Sequence, residues 1–316
     1  MVQIGSAPFT YDARNDWEQL PDGMTLHETA GVAVDGQDRV YLLTRNTDNP
    51  MVVLERDGTF VQAFGQGVFT PRAHAVRVAP DGFVWGVDDG ANIITKWTQQ
   101  GELIMTIGTP GESAGRFSGL PFNRPTDVAV SPVDGSLYIS DGYGNARVHK
   151  YTPDGQFVFS WGEPGIGAGQ FMVPHNIAFN ASGDLLYVAD REAHRVQVFD
   201  TTGKHVTTWH DIHRPCGLAV GVDGNVYVGE QRVGNFMVDA LNLGHAVSVF
   251  SPGGKLVARL GAPAEGEGPG EFIAPHSVAV DSVGSIYVGE VSYTESGRHL
   301  DPPRALKSVK KLARLG

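Results

Sequence analysis

HNIAFNASGDLLYVA, residues 175–189, reads as two apolar, β-rich runs joined by a turn of Asn, Ser, Gly and Asp, which is a hairpin signal. The chain repeats it. The same pattern returns as GVAVDGQDRVYLL from Gly31, HAVRVAPDGFVWGV from His74, DVAVSPVDGSLYIS from Asp127, GLAVGVDGNVYVG from Gly217 and HSVAVDSVGSIYVG from His276. Each hairpin is followed by a third run (MVVLE, NIITKW, ARVHKY, HRVQVF, HAVSVF) and then by a fourth opened by Gly (GTFVQAFG, GELIMTIG, GQFVFSWG, GKHVTTWH, GKLVARLG). Four strands recurring every 41 to 60 residues match the period of a propeller blade. An alternating βαβ fold is excluded, because no stretch shows a helical apolar period.

The spacing therefore predicts an all-β, single-domain, six-bladed β-propeller over residues 1–316, with four antiparallel strands per blade. The blades span about 31–65, 74–108, 127–162, 175–210, 217–261 and 276–316. The sixth unit ends at its third run, KSVKKLARLG, so a strand is missing. The segment PFTYDARNDWEQL, about residues 8–20, is expected to supply it and to close the ring without an exposed edge.

Composition narrows the partners. The net charge of −11 repels phosphate backbones, and the basic run near the C-terminus is absorbed by the last blade, so nucleic acid is not expected. No apolar run is long enough to span a bilayer. The start, MVQIGSAPFTYDARNDW, lacks a charged region followed by an apolar one, and Cys216 is the only cysteine; both point to a cytoplasmic protein without disulfides, a monomer or weak oligomer.

Strand direction fixes which loops share one mouth of the ring. Residues just before each first strand face that mouth, and in the six units they are Ala30, His74, Thr126, His175, Cys216 and His276. A single His among 11 is ordinarily a surface or satisfied core residue. Three at one register on alternate blades are related by a pseudo-threefold axis and converge on one point, the pattern of three-His metal coordination with an open fourth position. The ligands are thus His74, His175 and His276, for Zn2+ or another divalent transition metal. The loops after the second strands face the same mouth and carry Arg45, Tyr143 and Arg191. A Tyr there can carry protons if a cation lowers its pKa, and an Arg can clamp a carboxylate, although either residue also serves simply in packing. Asp141, Asp190, Glu230 and Glu290 recur at the ends of second strands and read as caps of the blade turns. Cys216 reads as a small buried residue. The long insert 231–245 of blade five is expected to act as a lid over the mouth.

PTDVAV at Pro125, SDGYGNAR at Ser140, GQFMVPHNIAF at Gly169, ADREAHR at Ala189 and APHSVAV at Ala274 give the chain, from about Gly31 to Gly289, a sequence that resembles peptidyl-α-hydroxyglycine α-amidating lyase. That resemblance implies an NHL-repeat six-bladed propeller with zinc on three His, matching His74, His175 and His276. It implies Tyr143 as general base, Arg45 as a stabiliser of negative charge and Arg191 as the holder of the substrate carboxylate. The implied reaction is cleavage of an α-hydroxyglycine to an amide and glyoxylate, on a peptide or a small α-hydroxy amide. A structural Ca2+ is also implied, held by the carbonyls of Val32 and Val76 and an Asp, but Ser277 stands in the Asp position and leaves the set incomplete. The disulfide next to the family's Tyr is absent, with Gly144 in its place. Two rival readings remain, a metal-dependent hydrolase or lactonase on the same propeller and a non-enzymatic NHL interaction module.

Overall fold

The computed structural model describes residues 1–232 and 241–315. Blade one is built from Thr29–Val34, Val40–Thr44, Met51–Leu54 and Phe60–Phe64, and blade two from Ala73–Val78, Val84–Asp88, Ile93–Trp97 and Leu103–Ile107. Blade three uses Asp127–Val130, Leu137–Asp141, Arg147–Tyr151 and Phe157–Trp161; blade four uses Pro174–Phe179, Leu185–Asp190, Arg195–Asp200 and His205–Trp209. Blade five is Pro215–Val220, Val226–Glu230, Ala246–Phe250 and Leu256–Leu260. All pairings within these sheets are antiparallel between consecutive strands.

Blade six holds Pro275–Val280, Ile286–Glu290 and Val309–Arg314, and its fourth strand comes from the other end of the chain. Phe9–Arg14 pairs with it through Tyr11 opposite Arg314 and Arg14 opposite Lys311. A fifth strand, Gln3–Ser6, adds outside that one, which the sequence pattern did not suggest. The closing strand is also shorter than the expected 8–20. Asn15 and Asp16, both turn formers, end it, and Trp17 turns inward to meet Tyr287 edge-on at 5.2 Å between ring centroids.

Apolar alternation places the core between blades rather than within one. Tyr41, Trp85, Tyr138, Tyr187, Tyr227 and Tyr287 fall at matching places in the six second strands, and all are buried. Around them lie six clusters, each shared by two successive blades. Val32, Leu42 and Trp17 of one meet Ala279, Tyr287 and Val309 of blade six, so the seam where the chain ends meet is packed like the others. Among the described residues, helix is confined to Ser292–Glu295 and two short 3-10 turns. Among the described residues no helix is long and apolar enough to cross a membrane.

The central channel below the histidine ring is a cavity of about 230 Å³ in which Arg77 is the one charged residue of the lining. Its Nε donates to Asp127 Oδ1 at 3.0 Å, its Nη1 to the Leu218 carbonyl at 3.0 Å, and its Nη2 pairs with Asp127 Oδ2. Asp127 Oδ2 also accepts the Ile177 N–H at 3.0 Å, so this pair ties four blades together. The implied calcium does not fit here. A guanidinium shares the cavity lining with Val32, and Ser277 spends its hydroxyl on the Val32 N–H at 3.0 Å. With its hydroxyl so engaged, Ser277 offers no anionic oxygen to a calcium ion, which takes carboxylate ligands. Added Ca2+ is therefore expected to leave the melting temperature unchanged. Asp127→Ala, which strands a buried guanidinium, is expected to cost about 3–5 kcal/mol, measured from the denaturant midpoint.

Candidate active site and metal centre

The first strands break register where the histidines sit. Pairing skips from Ala73 to Ala75, from Pro174 to Ile177 and from Pro275 to Ser277, so His74, His175 and His276 each fall in a β-bulge. A bulge re-aims a side chain out of the sheet's alternation, here toward the ring axis. The three ring centroids form a nearly equilateral triangle with sides of 4.9, 4.6 and 4.7 Å. One nitrogen of each lies within 4.8 Å of the others.

The far nitrogens are pinned. His74 Nδ1 donates to the Thr126 carbonyl at 2.6 Å and His276 Nδ1 to the Ala30 carbonyl at 2.7 Å. His175 Nδ1 is 2.7 Å from Asn176 Oδ1. A carbonyl can only accept, so the proton sits on Nδ1 and the lone pair on Nε2, the outer-sphere arrangement that orients a ligating imidazole. The non-histidine ring positions Ala30 and Thr126 thereby serve the site through their backbones. Burial, reinforced by His276, holds His74 and His175 well below the ordinary histidine range. Burial and then the charge of Arg45 push His276 down to about 3. All three are neutral, as ligands must be. Because the folded-state values are depressed, their stabilising contribution is complete above the unfolded pKa of about 6.5. The metal-free protein is expected to lose stability steadily as pH falls from there toward about 3, as pH-dependent unfolding curves would record.

Tyr143 reaches into this triangle. Its hydroxyl is 2.9 Å from His74 Nε2, 3.1 Å from His175 Nε2 and 3.2 Å from Arg191 Nη1, which donates to it. One hydroxyl proton cannot satisfy two acceptor nitrogens. Lone pairs therefore converge at this point, and the donor set fits a zinc-type divalent ion. Burial raises the Tyr143 pKa, and Arg191 opposes the shift without cancelling it. Cys216 lies beneath Arg191, and burial pushes its thiol up to about 11. Arg45 sits at the edge of the group. Its Nη1 donates to Glu28 at 2.7 Å and to Thr294 Oγ1 at 3.0 Å, and its Nε to the Ala73 carbonyl at 3.2 Å.

The loop carrying Tyr143 is shaped by glycines. A Cβ on Gly142 would stand 2.0 Å from the Pro174 carbonyl, and one on Gly144 would stand 1.9 Å from Asn123 Oδ1. The Asn123 side chain fills the space beside Gly144, held by its Nδ2 donating to the Ala114 carbonyl at 2.7 Å. Gly144→Ala is expected to destabilise by roughly 1–3 kcal/mol through overpacking, and a denaturant midpoint unchanged from the wild type would show that the loop yields freely.

Glu28, Thr294, Arg72, Arg124, Arg214, Asp89 and Glu192 also surround the mouth, and sequence reasoning missed them. A signal existed. Two residues before the ring positions the units read Glu28, Arg72, Arg124, Val173, Arg214 and Ala274, a second ring lying outside the first. The carboxylates at the ends of second strands cap the blade turns. Asp141 accepts the Asn123 N–H at 3.0 and 2.9 Å, Asp190 those of Met172 and Val173, Glu230 that of His213, and Glu290 those of Ile273 and Ala274. The expected lid, 231–245, falls largely on residues 233–240, outside the described residues.

The NHL repeat family model matches residues 122–151 and 171–199, which contain Tyr143, His175 and Arg191. Peptidyl-alpha-hydroxyglycine alpha-amidating lyase 1 of Drosophila melanogaster is 33% identical over 147 residues, 44% of this chain and 27% of that protein. The peptidylglycine alpha-amidating monooxygenase of Rattus norvegicus is 29% identical over 262 residues, 77% of this chain and 25% of that protein. The chain carries NHL repeats and is similar to the amidating lyases. It spans about a quarter of the length of the amidating monooxygenases it matches. Human NHL repeat-containing protein 3 is 28% identical over 289 residues, 87% of this chain and 80% of that protein. Among solved structures, a streptogramin B lyase superimposes with a TM-score of 0.61 at 15% identity, covering 92% of this chain and 95% of that one, and so shares the fold.

Proposed function

We propose that the protein is a metal-dependent lyase that cleaves the C–N bond of an N-acyl α-hydroxyglycine-type carbinolamine to an amide and glyoxylate. The observation that carries this reading is the Tyr143 hydroxyl lying at once against His74 Nε2, His175 Nε2 and Arg191 Nη1. His74, His175 and His276 would hold the metal. A divalent ion such as zinc supplies Lewis acidity toward the substrate hydroxyl and a positive field that favours the Tyr143 phenolate.

The remaining work falls to the chain. Arg191 binds the substrate carboxylate through its fork and so orients the carbinol carbon toward Tyr143. Tyr143 removes the proton of the hydroxyl. The C–O bond becomes a carbonyl, the C–N bond breaks, and its electron pair leaves with the amide nitrogen, which takes up the proton from Tyr143. Atoms balance without added water or a redox partner. Arg45, tied down by Glu28 and Thr294, acts by its field on the developing negative charge rather than by direct grip. The substrate class we favour is a small α-hydroxy amide in a reducing compartment, since the chain's one cysteine permits no intrachain disulfide of the kind that secreted proteins use.

Zinc-loaded protein offered α-hydroxyhippurate is expected to release glyoxylate and benzamide in equal amounts. Hydrolysis of gluconolactone with no glyoxylate from α-hydroxyhippurate would instead place the protein with metal-dependent hydrolases.

A further inference from the structure

We propose that Arg72 and Arg124 form a second anion subsite beside Tyr143 that takes a carboxylate at the far end of the substrate's acyl arm, so that the preferred substrate is acidic at both ends. This deepens the lyase reading and rests on it for the identity of the substrate. The two guanidiniums share one carboxylate. Arg72 donates from Nε and Nη2 to the two oxygens of Asp89 at 3.0 and 2.6 Å, and Arg124 donates from Nε and Nη2 to Asp89 Oδ2 at 3.1 and 2.7 Å. Asp89 is fully buried, whereas the Arg72 and Arg124 side chains are 44% and 45% exposed. One guanidinium is enough to neutralise one carboxylate. The second keeps N–H donors that border a cavity of about 470 Å³, lined also by Asn92, Ser113 and Asn123, while nearby Asp88 spends its oxygens on Thr70, Gly90 and Ala91.

Placement makes this cavity an extension of the site. The Arg124 guanidinium stands over the Tyr143 ring at 4.8 Å, and that of Arg191 stands over the same ring at 5.2 Å. The residue proposed to hold one carboxylate and the pair proposed to hold the other therefore flank one side chain, within reach of a short acyl arm. Arg124 is also kept at a backbone φ of 63°, a region that costs a non-glycine residue about 1–3 kcal/mol. Asn92 Oδ1 accepts its N–H at 2.7 Å and fixes it there. Planar, always-charged forks with free donors suit a carboxylate, which accepts two parallel hydrogen bonds.

The test separates binding from turnover. N-succinyl-α-hydroxyglycine and α-hydroxyhippurate are assayed for glyoxylate release, and the product-like amides succinamate and butyramide, with and without a terminal carboxylate, are titrated calorimetrically. Wild type is expected to favour the acidic member of each pair by about 10- to 100-fold, the range of a charge-assisted hydrogen-bond set. Arg72→Met should shrink both ratios to within about threefold, and Arg72→Lys, which keeps the charge but loses the fork, should recover part of them. Circular dichroism of each variant, matched to wild type, shows that the change is local. Equal binding of the two amides by wild type would overturn the subsite, whatever the glyoxylate rates. A succinamate preference that disappears in Arg72→Met, with no glyoxylate from either substrate, would keep the subsite and overturn the lyase reading.

Discussion

Replacing Tyr143 with Phe is expected to lower kcat for glyoxylate release about 10²- to 10⁴-fold, the usual contribution of a positioned proton carrier, while metal content and KM change little. The ring stays between Arg124 and Arg191, so packing is kept and only the hydroxyl at 2.9 and 3.1 Å from the two Nε2 atoms is lost. A base that merely filled space would tolerate this exchange. Steady-state rates with metal analysis on the same samples check it, and a loss under threefold would assign the proton to another group.

Metal affinity should fall in graded steps along His175. Asn176 Oδ1 receives the Nδ1 proton at 2.7 Å, and outer partners of this kind are worth about 10- to 100-fold in affinity. Asn176→Leu is expected to lose that much. His175→Ala removes the ligand itself and should lose more than about 100-fold, abolishing glyoxylate release at any accessible zinc concentration. Competition against a chromophoric chelator measures both. Equal, small effects of the two substitutions would mean that His175 is only a packed core residue.

The repeat made the architecture legible because each blade must alternate apolar residues to bury its faces against its neighbours. Tyr41, Tyr138 and Tyr287 stand at matching points of those runs, and so does the fourfold strand count. The convergence of His74, His175 and His276 was legible for the same reason, since register on a closed ring is position in space. The bulges that aim them were not, because a skipped pairing leaves no trace in the alternation. Arg45 shows another limit. Its partners Glu28 and Thr294 come from the two ends of the chain, and Thr294 belongs to the irregular segment between Glu290 and Val309, which has no repeat to align. Arg77 was hidden inside a strand, where one charged residue among apolar ones looks like a solvent-facing position rather than a bridge across the channel. The strand Gln3–Ser6 is short and mostly exposed, with nothing in its composition to set it apart from a tail.

In the proposed reading, three histidines, one metal and Tyr143 make a single lyase site. Its most direct test is to strip the wild-type protein with chelator and add zinc back in steps while glyoxylate from α-hydroxyhippurate is followed. No release is expected without metal, followed by a linear rise that breaks at one zinc per chain. Zinc bound at one per chain with no glyoxylate, or glyoxylate release that ignores the metal, would contradict it.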